Sequence, residues 1–108
     1  MDQAIAAKVY LYNELCGILN RDRRGTYRFR YEANHPEHLP LSHSLPVVPE
    51  VMTWDELPPY FGNLLPEGWL LETTRRDLKL DDPLALLIAL GKDLPGAVTL
   101  EKADHDGV

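Results

Sequence analysis

Residues 26–31 read Thr-Tyr-Arg-Phe-Arg-Tyr, and this stretch decides the fold of the amino-terminal part of the chain. Three aromatic side chains alternate with a threonine and two arginines, which is the pattern of a strand with one buried face. Upstream, residues 8–12 and 15–19 are rich in β-branched, aromatic and aliphatic side chains, and a turn at 13–14 separates them. A polar turn at 20–25 ends in glycine. The sequence therefore predicts three antiparallel strands that direct aromatic rings toward a core.

The middle of the chain lacks a regular period. Residues 32–49 contain four prolines, which exclude a continuous helix and disfavour a central strand. Such a long irregular connection in a small domain is usually functional or packs closely around the core. Residues 58–65 then begin with two prolines and predict a short helix, because proline suits the first helical turn. A Pro-Glu-Gly break at 66–68 ends this helix.

The last third of the chain has helical spacing. Leucines and charged side chains in residues 69–80 predict an amphipathic helix. Asp82 as the capping residue and Pro83 at the first helical position begin another helix, which is almost wholly apolar and ends at Gly91. Residues 97–100 predict a closing strand that returns to the sheet.

These elements predict a single α+β domain over residues 1–108, with an ordered core at about 8–102. Its sheet is small and antiparallel, a three-stranded meander plus a carboxy-terminal strand. About three to four short helices are expected to pack on it.

Composition limits the class of protein. Leu, Ile, Val and Phe make up 30 of the 108 residues, enough for a hydrophobic core. No apolar run approaches the roughly 20 residues that span a bilayer, and the amino terminus lacks the basic region of a signal peptide. The single cysteine, Cys16, excludes an internal disulfide and a cysteine-based zinc site within one chain. We therefore expect a cytoplasmic protein that has no membrane partner.

Charge is unevenly distributed along the chain. Residues 1–31 carry six basic and three acidic side chains, whereas residues 32–108 carry five basic and fourteen acidic ones. An acidic chain with a net charge of −6 is a poor independent binder of nucleic acid. The distribution favours a protein partner instead. Arg28 and Arg30, on the outer face of the third strand, form either a solvated surface or a basic patch for an acidic partner.

The motifs of common enzymes are absent from the sequence. It has neither nucleotide-binding glycine fingerprint, no serine nucleophile elbow and no kinase catalytic loop. Cys16 lies in an apolar strand, where a buried thiol is a better interpretation than a nucleophile. His35 and His38, with His43 nearby, are the only cluster suited to a metal, but Pro36 makes their backbone irregular. We therefore predict no enzyme activity, no cofactor and no metal site.

The two tryptophans each have two interpretations. Trp69 follows Gly68 at the start of a predicted helix, where it either fills the core or projects as a binding anchor. Trp54 lies beside two carboxylates, and core packing is favoured more strongly there.

Four longer strings together carry a family resemblance: VYLYNELCGIL at 9–19, PLSHSLP at 40–46, YFGNLLPEG at 60–68 and DPLALLIALGKDLPGAV at 82–98. They resemble the N-terminal subdomain of HipA-type toxin kinases, in which corresponding strings read close to PLSLSLP, FFDNLLP and GRDxxGAV. The resemblance extends over about residues 8–102. Because the kinase portion of HipA-type proteins has no counterpart here, the chain is most similar to the stand-alone HipS antitoxins of three-gene HipBST systems.

The resemblance implies a function and partners. HipS-like proteins bind and neutralise a separate HipT kinase, which phosphorylates glutamyl-tRNA synthetase, and a helix-turn-helix HipB protein supplies DNA binding. By this resemblance, we expect segment 63–71 to present Trp69 near the kinase active site. The candidate contact residues are Asn63, Leu65, Pro66, Glu67, Gly68, Trp69 and Leu70, with Arg28, Arg30, Ser42 and Ser44 as secondary candidates.

Two positions depart from the family pattern. His43 replaces the apolar residue that usually separates the two serines, and Gly62 stands where aspartate is common, which puts a family contact at that position in doubt.

An alternative role also stays open. The chain would then be a non-inhibitory structural subunit that completes the kinase fold or bridges it to a HipB-like DNA-binding protein.

Overall fold

The computed structural model describes residues 4–65, 68, 82–91, 94 and 96–103. Within these residues, five antiparallel strands form one sheet in the order β4-β3-β2-β1-β5. The strands are β1 (Ile5–Leu11), β2 (Glu14–Arg21), β3 (Tyr27–Tyr31), β4 (Met52–Trp54) and β5 (Val98–Lys102). The described residues also form two helices, α1 (Pro59–Gly62) and α2 (Pro83–Leu90). The α+β class and the antiparallel sheet are confirmed.

The sheet has a fifth strand that the sequence did not predict. The short strand β4 pairs with β3, so that Trp54 lies opposite Tyr27 and Met52 opposite Phe29. Trp54 is half-buried and packs against the core, which agrees with its predicted packing role.

The turn of the first hairpin lies one residue earlier than predicted. Its turn is Tyr12-Asn13, and Leu11 pairs with Glu14. Both turn residues have positive φ, 52° and 69°, as a two-residue type I′ hairpin turn requires. The prediction that Tyr12 ends the strand and that Glu14 lies in the turn was therefore wrong. Asparagine tolerates the left-handed region, which explains why Asn13 suits this position.

The aromatic face of β3 points into the core as predicted. Tyr27, Phe29 and Tyr31 are buried, whereas Arg28 is intermediate and Arg30 is exposed. The Phe29 ring meets the Tyr31 ring edge-on at 4.8 Å between centroids and the Phe61 ring of α1 at 5.6 Å. These contacts hold α1 on the inner face of the sheet.

Helix α2 begins and ends where its capping residues predict. The Asp82 carboxylate accepts the backbone N–H of Leu84 at 2.9 Å, Pro83 is the first helical residue, and Gly91 is the C-cap. Leu84, Leu86 and Leu87 are buried. The helix predicted at 69–80 lies outside the described residues. No helix in the described ranges has the length and apolar character needed to cross a bilayer.

Candidate partner-binding surface

Helix α1 positions the first candidate contact residues. Phe61 is completely buried, and the N–H groups of Asn63, Leu64 and Leu65 donate to carbonyls of the preceding helical turn at 2.9–3.2 Å. Asn63 is exposed, and Leu65 is half-buried. One apolar anchor in a very short helix therefore fixes the position of residues 63–65, with which segment 63–71 begins.

Two residues that flank 66–81 in the chain line one cavity. Leu65 and Pro83 both line a cavity of about 490 Å³. Arg21 and Tyr27 of the sheet line the same cavity. Both flanking residues therefore lie next to the end of β2.

An ion pair lies beside this cavity. Arg21 binds the carboxylate of Asp82, and these side chains are only 17% and 12% exposed. The Tyr27 hydroxyl donates to Asp82 Oδ1 at 3.4 Å. Burial, followed by the nearby Asp82 charge, raises the pKa of Tyr27, so the phenol stays a neutral donor. The sequence predicted Asp82 as a helix cap, but not its contacts with Arg21 and Tyr27.

Four of the seven principal candidates, Pro66, Glu67, Trp69 and Leu70, lie outside the described residues, as does Leu71 at the end of segment 63–71. Gly68 is described, and it is exposed with a φ of +74°. An added Cβ there would meet no atom within 4 Å, so the backbone conformation, and not lack of space, favours glycine.

The two arginines of β3 have different surroundings. Arg28 pairs with Asp22 at 2.6 Å, and this hydrogen bond, with backbone N–H donors of Thr26 and Arg24, lowers the pKa of Asp22 to about 2. Arg30 is exposed, and it lines a cavity of about 570 Å³ together with Glu32 and other residues. Of the two, Arg30 is the one whose charge is more available to a partner.

Ser42 and Ser44 lie in a tight turn of the PLSHSLP segment. Their hydroxyl oxygens are 3.1 Å apart, and the Ser44 N–H donates to Ser42 Oγ at 3.2 Å. The backbone of Leu45 pairs with Ser42, and the Leu45 side chain is buried. The turn therefore presents Ser44 and the exposed His43 to solvent.

The histidines have different surroundings. The His35 ring stacks on Tyr31 at 5.1 Å, and its Nε2 lies 2.6 Å from the carbonyl oxygen of Leu39, whereas His38 and His43 are exposed. Among the described residues, no three His, Cys, Asp or Glu side chains are grouped as a metal site would require.

Cys16 is completely buried, and burial raises the pKa of its thiol to about 12. A thiol so protonated suits packing and not nucleophilic attack.

Comparison with known proteins identifies the family. The HipA N-terminal domain family matches residues 7–101. A solved N-terminal domain of HipA toxin superposes with a TM-score of 0.77 at 30% identity, and the match covers 96% of this chain and 97% of that one. The chain therefore belongs to the HipA N-terminal domain family, as its motifs predicted.

Relatives carry this domain in chains of different length. An uncharacterised protein of Haemophilus influenzae is 35% identical over 94% of this chain and 95% of its own length. Two putative kinases of Sinorhizobium fredii, Y4mE and Y4dM, also match: Y4mE at 33% identity over 93% of this chain, and Y4dM at 46% over 46% of it. This chain spans only 25% of Y4mE, and its match with Y4dM covers 13% of that protein.

Proposed function

We propose that this protein is the antitoxin of a HipBST-type system, which binds a separate HipT-like Ser/Thr kinase non-covalently and neutralises it. It acts in the cytoplasm without a cofactor and without catalytic activity of its own. A HipB-like helix-turn-helix protein joins the complex and supplies the contact with DNA.

The occurrence of the domain in two contexts carries this proposal. The same domain forms part of putative kinases such as Y4mE and nearly the whole of the Haemophilus protein. A domain that packs on a kinase within one chain has a surface suited to the same contact between chains. An interface of about 800 Å² per partner is within reach of a domain of this size.

The geometry around segment 63–71 supports the choice of contact site. Asn63 is exposed directly after the anchored helix α1, and Leu65 and Pro83, which flank 66–81, line one cavity with Arg21. In the proposed complex, Trp69 enters the nucleotide cleft of the kinase and hinders the closure that aligns phosphates and metal. One buried tryptophan can contribute about 2–4 kcal/mol to such an interface.

Phosphorylation of glutamyl-tRNA synthetase by the purified HipT-like kinase, with and without this chain, tests the proposal. We expect stoichiometric inhibition by the wild type and loss of inhibition by Trp69→Ala. Val51→Ala is the matched control, because Val51 is also a large apolar residue, 46% exposed, and lies outside segment 63–71.

Each outcome discriminates between roles. Binding with unchanged or increased kinase activity would favour the structural-subunit alternative. Full inhibition by Trp69→Ala would exclude the proposed insertion, and absence of any complex with the kinase would overturn the antitoxin assignment.

A further inference from the structure

A groove at the turn of the first hairpin exposes apolar side chains. Tyr12, Leu15 and Leu39 are 74%, 37% and 43% exposed, and all three line one cavity of about 560 Å³. The cavity lies between the β1–β2 turn and residues 32–39. We call it the hairpin groove. Clustered exposed apolar residues beside polar groups are typical of interaction sites.

The hairpin groove is also acidic. Glu14 and Glu32 line it, and neither carboxylate forms an ion pair or a side-chain hydrogen bond with a described residue. The imidazole of His35, another lining residue, is already engaged by the Leu39 carbonyl. Two carboxylates beside an exposed aromatic ring are the chemistry that receives a cation.

Hydrogen bonds hold both walls of the groove in place. On the hairpin side, the Tyr12 N–H donates to the Ala97 carbonyl at 3.0 Å. On the loop side, the Glu32 N–H donates to the Cys16 carbonyl at 2.8 Å, and the stacked His35 ring fixes Leu39. A groove that is already formed loses little conformational entropy when a ligand binds.

The groove is remote from Leu65, at the described start of segment 63–71. Strand β2 begins at Glu14, which lines the groove, and ends at Arg21, which lines the cavity shared with Leu65. A strand of this length extends over roughly 23 Å, at about 3.3 Å per residue. One chain can therefore bind through both surfaces at once.

We propose that the hairpin groove is a second docking surface, which binds an extended segment of a protein partner carrying an arginine next to apolar side chains. The guanidinium lies between the carboxylates of Glu14 and Glu32 and stacks on the Tyr12 ring. The apolar neighbours of the arginine cover Leu15 and Leu39. Arginine is favoured over lysine because its planar group both pairs with carboxylates and stacks on aromatic faces. This surface does not depend on the kinase-neutralising role of segment 63–71.

Titration of the ¹⁵N-labelled chain with the peptide acetyl-Ala-Leu-Arg-Leu-Ala-amide tests this docking surface by NMR. We expect saturable shifts of amide signals around Tyr12, Glu32 and Leu39, with a Kd in the range of about 1–10 mM. The matched peptide with glutamine in place of arginine should bind about fivefold more weakly or worse. Added salt should weaken only the arginine peptide.

Variants locate the cation-binding groups. The double variant Glu14→Gln, Glu32→Gln and the single variant Tyr12→Asn should each weaken arginine-peptide binding at least about threefold, and asparagine keeps the positive φ of the turn. Glu50→Gln, an exposed carboxylate elsewhere, should leave binding unchanged. Absent binding, shifts outside the groove, or equal affinity for the two peptides would overturn the proposal. An affinity for the arginine peptide that these groove variants leave unchanged would also overturn it.

Discussion

The phenolic hydroxyl of Tyr31 donates a hydrogen bond to the carbonyl oxygen of Leu45, which lies 2.5 Å away and fourteen residues later in the chain. The hydroxyl oxygen of Tyr31 also accepts a hydrogen bond from the N–H of Leu41 at 3.0 Å. Burial raises the pKa of Tyr31, although the Leu41 hydrogen bond opposes this, so the hydroxyl remains protonated and able to donate. One core tyrosine therefore ties the PLSHSLP segment to the sheet.

Tyr31→Phe should lower the free energy of unfolding by about 1–3 kcal/mol, because it leaves two backbone groups without their partner. Urea unfolding followed by circular dichroism measures this. Tyr60→Phe is the control, since the Tyr60 hydroxyl forms no hydrogen bond with a described residue, and it should cost less than about 0.5 kcal/mol. Equal effects of the two substitutions would show that the Tyr31 hydroxyl does not hold the segment.

Gly17→Ala should be strongly destabilising, by about 3 kcal/mol. A Cβ at Gly17 would lie 2.6 Å from both the Arg30 carbonyl oxygen and the Phe29 ring, so the strands would have to separate. Gly62→Ala is the matched control in α1, because nothing lies within 4 Å of its Cβ position. There the higher helix propensity of alanine should stabilise the protein by up to about 1 kcal/mol. Similar melting temperatures for the two variants would contradict the packing of β2 on β3.

Asp82 should stabilise the fold in two separable ways, as a helix cap and as the partner of Arg21. Asp82→Ala removes both and should cost about 2–3 kcal/mol in urea unfolding. Asp82→Asn should cost less, because an asparagine oxygen can still accept the Leu84 N–H while the ion pair is lost. If the two variants are equally unstable, the cap contributes nothing measurable.

Stability should decrease in acid partly through Asp22. Its pKa in the folded protein, about 2, lies below its ordinary value of 3.8, chiefly because of the hydrogen bond from Arg28. The ionised form therefore favours folding above about pH 4, and this contribution is lost as the pH falls toward about 2. The urea midpoint of Asp22→Asn should consequently change less over this range than that of the wild type. Asp55→Asn, at an exposed carboxylate, should retain the wild-type slope, and an unchanged slope in Asp22→Asn would contradict the assignment.

Features that depend on near neighbours were readable from the sequence. The alternation in residues 26–31 predicted the buried face of β3, and Asp82, Pro83 and Gly91 predicted the start and end of α2. Capping and period-2 patterning involve groups only a few residues apart, so the local sequence contains the information. Segment 63–71 was identified through its family motif, and its place next to α1 follows from the proline-rich start of that helix.

Strand β4 could not be predicted in the same way. It has three residues and follows a proline-rich stretch, and it pairs with β3, a strand more than twenty residues earlier in the chain. The positive φ of Tyr12 was missed for a related reason. An aromatic residue favours a strand, and the pairing of β1 with β2 overrides that preference at the turn.

The amino-acid sequence alone determined the α+β class, the inward aromatic face of the sheet and the family. Only the tertiary structure decided which distant groups meet, Arg21 with Asp82 and Tyr31 with Leu45, and that Tyr12 and Leu39 line one groove. The physical reason is that strand alternation and helix capping involve residues only a few positions apart in the sequence. Such contacts depend instead on strand order, which is set by the free energy of burying the whole core at once.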